Sequence, residues 1–277
     1  SARKPSGVEC VYSNSTFYLG PNPSNVRHGL GLLITNKPAG AYSPSKSPEK
    51  SKNDSKNTRC IFEGYFERGL YHGIGYQTYD TGRSYAGEFR AGVKHGIGKL
   101  ADRGADFVGE FNNGRRDGIG ILKDDKGRII KGFYKKGVLS GAAFVDVYRS
   151  RYRYVGGFEK GLFEGVGEEV HDKVKYFGHF EKGKKHGIGF LKSGSSGESF
   201  MQSEQHSKLK ISKTQDGFND AAVGEGKFLG NWLYDERNGF GVEVFDNHDI
   251  YEGDFSHNER TGIGRYLYKS SGYQYVG

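Results

Sequence analysis

Apolar and polar positions in this 277-residue chain alternate with a period of two, in short runs that glycines interrupt. In one run Tyr85, Gly87 and Phe89 fall on one side and Ala86, Glu88 and Arg90 on the other, as in a strand with one sticky and one wet face. An aromatic-x-Gly triplet heads nearly every run: Tyr18-Leu19-Gly20, Phe62-Glu63-Gly64, Tyr85-Ala86-Gly87, Phe107-Val108-Gly109, Tyr154-Val155-Gly156, Tyr176-Phe177-Gly178, Phe228-Leu229-Gly230, Tyr251-Glu252-Gly253 and Tyr275-Val276-Gly277. Ile130-Lys131-Gly132 fills the remaining slot. Gly64, Gly87, Gly109, Gly132, Gly156 and Gly178 stand 22 to 24 residues apart, and Gly230, Gly253 and Gly277 continue at 23 and 24. Such a period marks a tandem array in which each unit buries its apolar face only against its neighbours.

A second aromatic follows the triplet glycine by two residues in most copies: Phe66, Phe89, Phe111, Tyr134, Phe158, Phe180, Trp232 and Phe255. Five residues after the triplet glycine stands another glycine, as at Gly69, Gly92, Gly114, Gly137, Gly161 and Gly183, which supplies the positive φ of a tight hairpin turn. Nine residues after it comes Gly-x-Gly, as in Gly73-Ile74-Gly75, Gly96-Ile97-Gly98 and Gly187-Ile188-Gly189, with Gly141-Ala142-Ala143 as the exception. The pattern predicts antiparallel hairpins. Glycine recurring in mid-strand predicts a ring lying over bare backbone, with the rings of one hairpin settling on the glycines of the next.

These positions resemble the MORN family, the membrane occupation and recognition nexus repeats, with consensus Tyr-x-Gly-x-Phe/Trp-x-x-Gly-x-x-x-Gly-x-Gly. Tyr85 to Gly98 and Tyr176 to Gly189 match at every consensus position. Ile130 and Ala143 depart from it, and Asp235 and Asn258 stand where the turn glycine belongs, Asn being a residue that tolerates the left-handed region. The resemblance implies an all-β fold, an elongated single-layer array of antiparallel hairpins numbering about ten repeats of roughly 23 residues. Two strands per repeat at about 4.8 Å each give an expected length on the order of 100 Å.

Two gaps interrupt the phase. The expected organisation is an N-terminal flank and first repeat over 1–36, a disordered Ser-, Lys-, Pro- and Asn-rich insert over 37–59, and six regular repeats over 60–192. A degenerate repeat with a loop follows over 193–227, then C-terminal repeats over 228–277, the last truncated. Because the chain starts at Ser1 and ends on an opening triplet, it is expected to be a fragment of something longer.

Composition agrees: 45 Gly, 19 Tyr and 19 Phe against a single Trp mean that buried area comes mainly from aromatics packed on backbone. The net charge of +8 admits anionic partners without selecting one. Cys10 and Cys60 are the only thiols, too few for a disulfide scaffold and suited to a reducing compartment. With no apolar run near the ~20 residues of a membrane span and no signal peptide, the expected location is cytoplasmic.

His28, His72, His95 and His186 recur eight residues after their triplet glycine. Successive repeats lie about 10 Å apart, far more than two ligands of one metal ion can span, and Asp117, Ser140, Glu164, Asn238 and Thr261 take the equivalent place. The position therefore calls for a polar residue near the turn. No Gly-x-Gly opens a helix in a strand-helix-strand unit, and no phosphate-loop, nucleophile-elbow or Cys-x-x-Cys motif is present. No catalytic residue, metal or cofactor is expected.

Two candidate binding features remain. The aromatic file Phe66, Phe89, Phe111, Tyr134, Phe158, Phe180, Trp232 and Phe255 is a candidate groove for an extended or helical partner segment, unless the rings cover one another and the glycines. Lys94, Arg115, Arg116, Lys135, Lys136, Lys184 and Lys185 gather beside the turns and are a candidate stripe for an anionic membrane surface, at about 1 kcal/mol per charge. Asp117, Glu164, Glu181 and Glu259 interrupt that stripe, as on an ordinary solvated face. The resemblance implies a non-catalytic scaffold or adaptor with protein partners in a cytoskeletal or ciliary setting, with homodimerisation through terminal repeats. Its alternatives are the regulatory arm of a larger lipid kinase, methyltransferase or exchange factor, and direct phospholipid binding. Nucleic acid is not an expected partner, for want of any base-reading module.

Overall fold

The computed structural model describes residues 8–13, 16–36, 59–194 and 226–277. The chain divides into two compact units, one of Ser1–Asp125 with Phe133–Val138, the other of Lys126–Gly132 with Leu139–Gly277. In the first unit antiparallel strands follow one another in chain order: β1 (Val8–Ser13), β2 (Thr16–Pro21), β3 (Gly29–Thr35), β4 (Cys60–Glu67), β5 (Leu70–Tyr79), β6 (Ser84–Arg90), β7 (Val93–Asp102), β8 (Ala105–Asn112) and β9 (Arg115–Asp124). β10 (Arg128–Lys135) and β11 (Val138–Val147) contribute residues to both units. The second unit continues with β12 (Tyr152–Glu159), β13 (Leu162–His171), β14 (Val174–Glu181), β15 (Lys184–Ser193), β16 (Gly226–Leu233), β17 (Glu236–Phe245), β18 (Ile250–Ser256), β19 (Glu259–Leu267) and β20 (Gln274–Val276), each paired antiparallel with the next.

Residues 37–58 of the insert expected over 37–59 and residues 195–225 of the degenerate repeat expected over 193–227 lie outside the described residues. What is described is how the sheet passes them. Thr35 pairs with Cys60 and Ser193 with Gly226, so β3 is hydrogen-bonded to β4 and β15 to β16.

Turn chemistry follows the sequence. Arg68 and Gly69 have φ of 50° and 83°, the two positive values of a type I′ turn. Asp235 and Asn258 take the glycine's place at φ 77° and 69°. Each adds a bond to the preceding repeat: Lys185 N–H donates to Asp235 Oδ1 at 2.8 Å and Arg237 N–H to Asn258 Oδ1 at 2.8 Å. Every regular turn is tied back in another way too. Gly92 N–H donates to Tyr71 O, Gly114 N–H to Lys94 O and Gly183 N–H to Phe163 O, each at 2.9 Å, which sets each hairpin against the one before it.

The ring contacts correct one expectation. Each leading aromatic covers the paired glycines of its own hairpin, not those of the next. Gly64 faces Gly75 across β4 and β5, and a Cβ on Gly75 would lie 2.6 Å from both Cε2 and Cζ of Phe62 in the same hairpin. Between hairpins the contact is ring to ring: Tyr85 meets Phe111 edge-on at 5.1 Å and Phe62 meets Phe89 at 5.1 Å. The reason is a bulge. The register slips just past the triplet glycine, between Gly87 and Phe89, Gly109 and Phe111, and Gly178 and Phe180, where one residue of the first strand faces three of the returning strand.

The bulge frees a carbonyl and an amide, and the repeat satisfies both. The leading tyrosine hydroxyl donates to the carbonyl of the residue opposite the bulge: Tyr85 to Glu88 O at 3.0 Å, Tyr154 to Gly157 O at 3.1 Å, Tyr176 to His179 O at 3.0 Å. Burial pushes these phenols well above their ordinary pKa, so they remain protonated donors. On the opposite face Ile97 N–H donates to Glu88 Oε1 at 3.1 Å and Ile119 N–H to Glu110 Oε1 at 3.3 Å.

Candidate partner-binding surfaces

The aromatic file is closed. Phe66, Phe89, Phe111, Tyr134, Phe158, Phe180, Trp232 and Phe255 are each at most 5% exposed. Their edges meet the leading rings, as in Tyr154 with Phe180 at 5.3 Å and Tyr176 with Trp232 at 5.3 Å, and Trp232 Nε1 donates to Gly189 O at 3.3 Å. The expectation of an open groove along these residues is corrected. The rings are the core of a one-layer fold, and edge-to-face packing fills the space a partner segment would need.

What closes the file is a position the sequence reading missed, seven residues after the triplet glycine. Its side chain lies over a leading ring. Lys94 sits 5.3 Å from the Tyr85 centroid, Arg116 5.3 Å from both Phe107 and Tyr134, Lys185 5.4 Å from Tyr176 and Arg237 5.4 Å from Phe228. In two repeats a ring does the same work: Tyr71 stacks on Phe62 and Phe163 on Tyr154, each at 3.8 Å. The position is always long, so a lid was legible in the sequence as a further periodic site. Its basic members are residues that the sequence places beside the turns.

The basic stripe divides for the same reason. Lys94, Arg116 and Lys185 pair across the hairpin with Phe89, Phe111 and Phe180, so they share the inner face with the rings. Lys185 is 7% exposed, and its Nζ lies 3.1 Å from Glu169 Oε2. Arg115 and Lys184 stand one residue away and point to the other face, while Lys135 and Lys136 are exposed at the turn. The seven residues do not form one surface.

The polar position eight residues after the triplet glycine docks the next turn in two repeats. Lys136 N–H donates to Asp117 Oδ2 at 3.3 Å and Lys182 N–H to Glu164 Oε2 at 3.0 Å. His72 and His186 at that position face Glu67 at 3.1 Å and Glu181 at 3.4 Å. Among the described residues, no three His, Cys, Asp or Glu are grouped to hold a metal ion, and no helix is long and apolar enough to cross a membrane.

The outer face carries the exposed apolar residues. The middle residue of Gly-x-Gly recurs there as Ile74, Ile97 and Ile119 in the first unit, 65–69% exposed, and as Val166, Ile188, Phe240 and Ile263 in the second. The glycine before it takes a positive φ, 59° at Gly73 and 55° at Gly96, which turns this one side chain outward in each repeat. A second row, at the middle of the leading triplet and its cross-strand partner, adds Val108 opposite Ile121 and Phe177 opposite Phe190.

Fold and surface together define a tandem β-hairpin repeat protein, with a sealed ring face and a repeating apolar outer face. The family model of the MORN repeat matches residues 62–82, 85–103, 107–127, 154–171, 176–197, 228–250 and 251–273, and the chain belongs to that family. The repeats it passes over include the one with Ile130 and Ala143. No curated protein matches the chain. These matches are consistent with a repeat protein that mediates protein or membrane interactions.

Proposed function

We propose that this chain is a non-catalytic scaffold that holds protein partners together in a cytoskeletal or ciliary setting of the cytoplasm. The observation that carries this reading is the outer face, where successive repeats present a large apolar side chain to solvent. Soluble monomers seldom expose contiguous apolar surface unless it meets a partner. The sealed inner face supports the same reading, since the rings are occupied with one another and with their lids. The cytoskeletal or ciliary setting is supported by the family alone.

Proximity labelling from the intact chain in ciliated cells tests the proposal. Enrichment of cytoskeletal or ciliary proteins over a freely diffusing cytosolic control is expected. A labelled set that matches the control would remove the scaffold reading.

A further inference from the structure

We propose that the outer face of the first unit docks an amphipathic α-helix with apolar residues at heptad spacing and basic residues between them. The inference rests on the scaffold reading and names its partner class. Ile74, Ile97 and Ile119 occupy the same position in three successive repeats and are the most exposed large apolar side chains of β5, β7 and β9. Beside them on the same face Tyr76, Val108 and Ile121 are also exposed, so the apolar surface is two residues wide except next to Ile97, where exposed Lys99 pairs with Asp106 at 2.7 Å.

Spacing narrows the occupant. Equivalent residues of successive repeats are two strands apart, about 9.6 Å, and seven residues of α-helix rise about 10.5 Å. A helix therefore stays within about 2 Å of register across the three isoleucines. An extended peptide covers a similar distance in three residues, but these alternate between its two sides. A polyproline helix matches the length, at about 9.3 Å per three residues, yet offers a single column of side chains. The two rows here need the paired stripe that heptad positions a and d supply.

Charge completes the match. Along the isoleucine row the cross-strand neighbours are carboxylates: Ile74 pairs with Glu88 and Ile97 with Glu110. Each carboxylate accepts the next isoleucine's N–H with one oxygen and keeps its negative charge on the outer face. Isoleucine and glutamate thus alternate about every 4.8 Å, and a helix with Lys or Arg between its apolar positions answers both.

The test is fluorescence anisotropy of the intact chain with a labelled three-heptad peptide, leucine at a and d and lysine at e and g. Its controls are a composition-matched scramble, a Glu-for-Lys version and a polyproline peptide with leucine at every third residue. Only the heptad Lys peptide is expected to bind. Ile97→Asp should weaken it by about tenfold or more. Glu88→Gln with Glu110→Gln, which keeps an acceptor for both amides, should weaken it and flatten its salt dependence. An unchanged far-ultraviolet circular dichroism spectrum and an unchanged urea unfolding curve establish that the variants fold. Equal binding of the scramble, or of the heptad peptide to Ile97→Asp, overturns the proposal. Preference for the polyproline peptide also overturns it, as does loss of phosphatidylserine-vesicle binding in Ile97→Asp without any peptide binding. If Ile97→Asp keeps the partners labelled in cells, this docking surface falls and the scaffold reading stands.

Discussion

Phe62→Ala is expected to lower the stability of the first unit by about 3–5 kcal/mol, the usual cost of emptying a fully buried phenylalanine site. Phe62 is 0% exposed. Its ring lies over Gly64 and Gly75, stacks on Tyr71 at 3.8 Å and meets the edges of Phe66 and Phe89, each at 5.1 Å. Among the described residues, no second layer stands behind it to relax into the void. The neighbouring glycines have no side chains that could fill it either. The lid residue Tyr71 loses its stacking partner in the same step. Urea unfolding followed by circular dichroism measures the effect. A loss below about 1 kcal/mol would mean that the ring does not bridge its own hairpin and the next.

Gly98→Val is expected to cost about 3 kcal/mol for the opposite reason, overfilling. A Cβ at this glycine would lie 2.6 Å from Tyr85 Cε2. The ring has no exit: Phe89 lies 5.0 Å away, Phe111 5.1 Å and the Lys94 ammonium 5.3 Å, and its hydroxyl is held on Glu88 O. Gly82→Ala is the control. Gly82 has a φ of 81° with nothing near its Cβ position, so that substitution bears only the left-handed penalty of about 1 kcal/mol. The same urea measurement should separate the two variants by about 2 kcal/mol. Similar losses would show that mid-strand glycine is required for backbone conformation and not for ring clearance. The chain already contains the complementary case. Where Ile130 replaces the ring, Ala143 replaces the second glycine of its pair and is itself buried.

The period, the turns and the hairpins are legible in the sequence because glycine there answers local demands. Gly69 and Gly92 carry positive φ, and Asp235 and Asn258 are among the few other residues suited to it. The inner face resisted reading because the residue seven places after the triplet glycine changes chemistry from copy to copy, as at Tyr71, Lys94, Arg116, Phe163, Lys185 and Arg237. The turn pairs Phe89 with Lys94, so alternation places that lysine beside the rings, but a basic residue next to a turn reads first as solvated. Lys94, Arg116 and Lys185 therefore read as turn charges, and Glu88 reads as part of the wet face although it caps the Ile97 amide, as Glu110 caps that of Ile119. The ring-on-glycine contact was visible, but its partner was not. Which hairpin a ring covers depends on a lean along the strand, and alternation alone does not encode that lean.

The single tryptophan offers the most direct measurement of whether the aromatic file is core or groove. Trp232 is 5% exposed and holds Gly189 O with its indole N–H. With the intact chain, the packing described above predicts blue-shifted emission and weak quenching by acrylamide, lost together on unfolding in urea. Emission at the wavelength of free indole, quenched as strongly in the folded chain as in the unfolded one, would contradict a sealed ring face and return it as a site for partners.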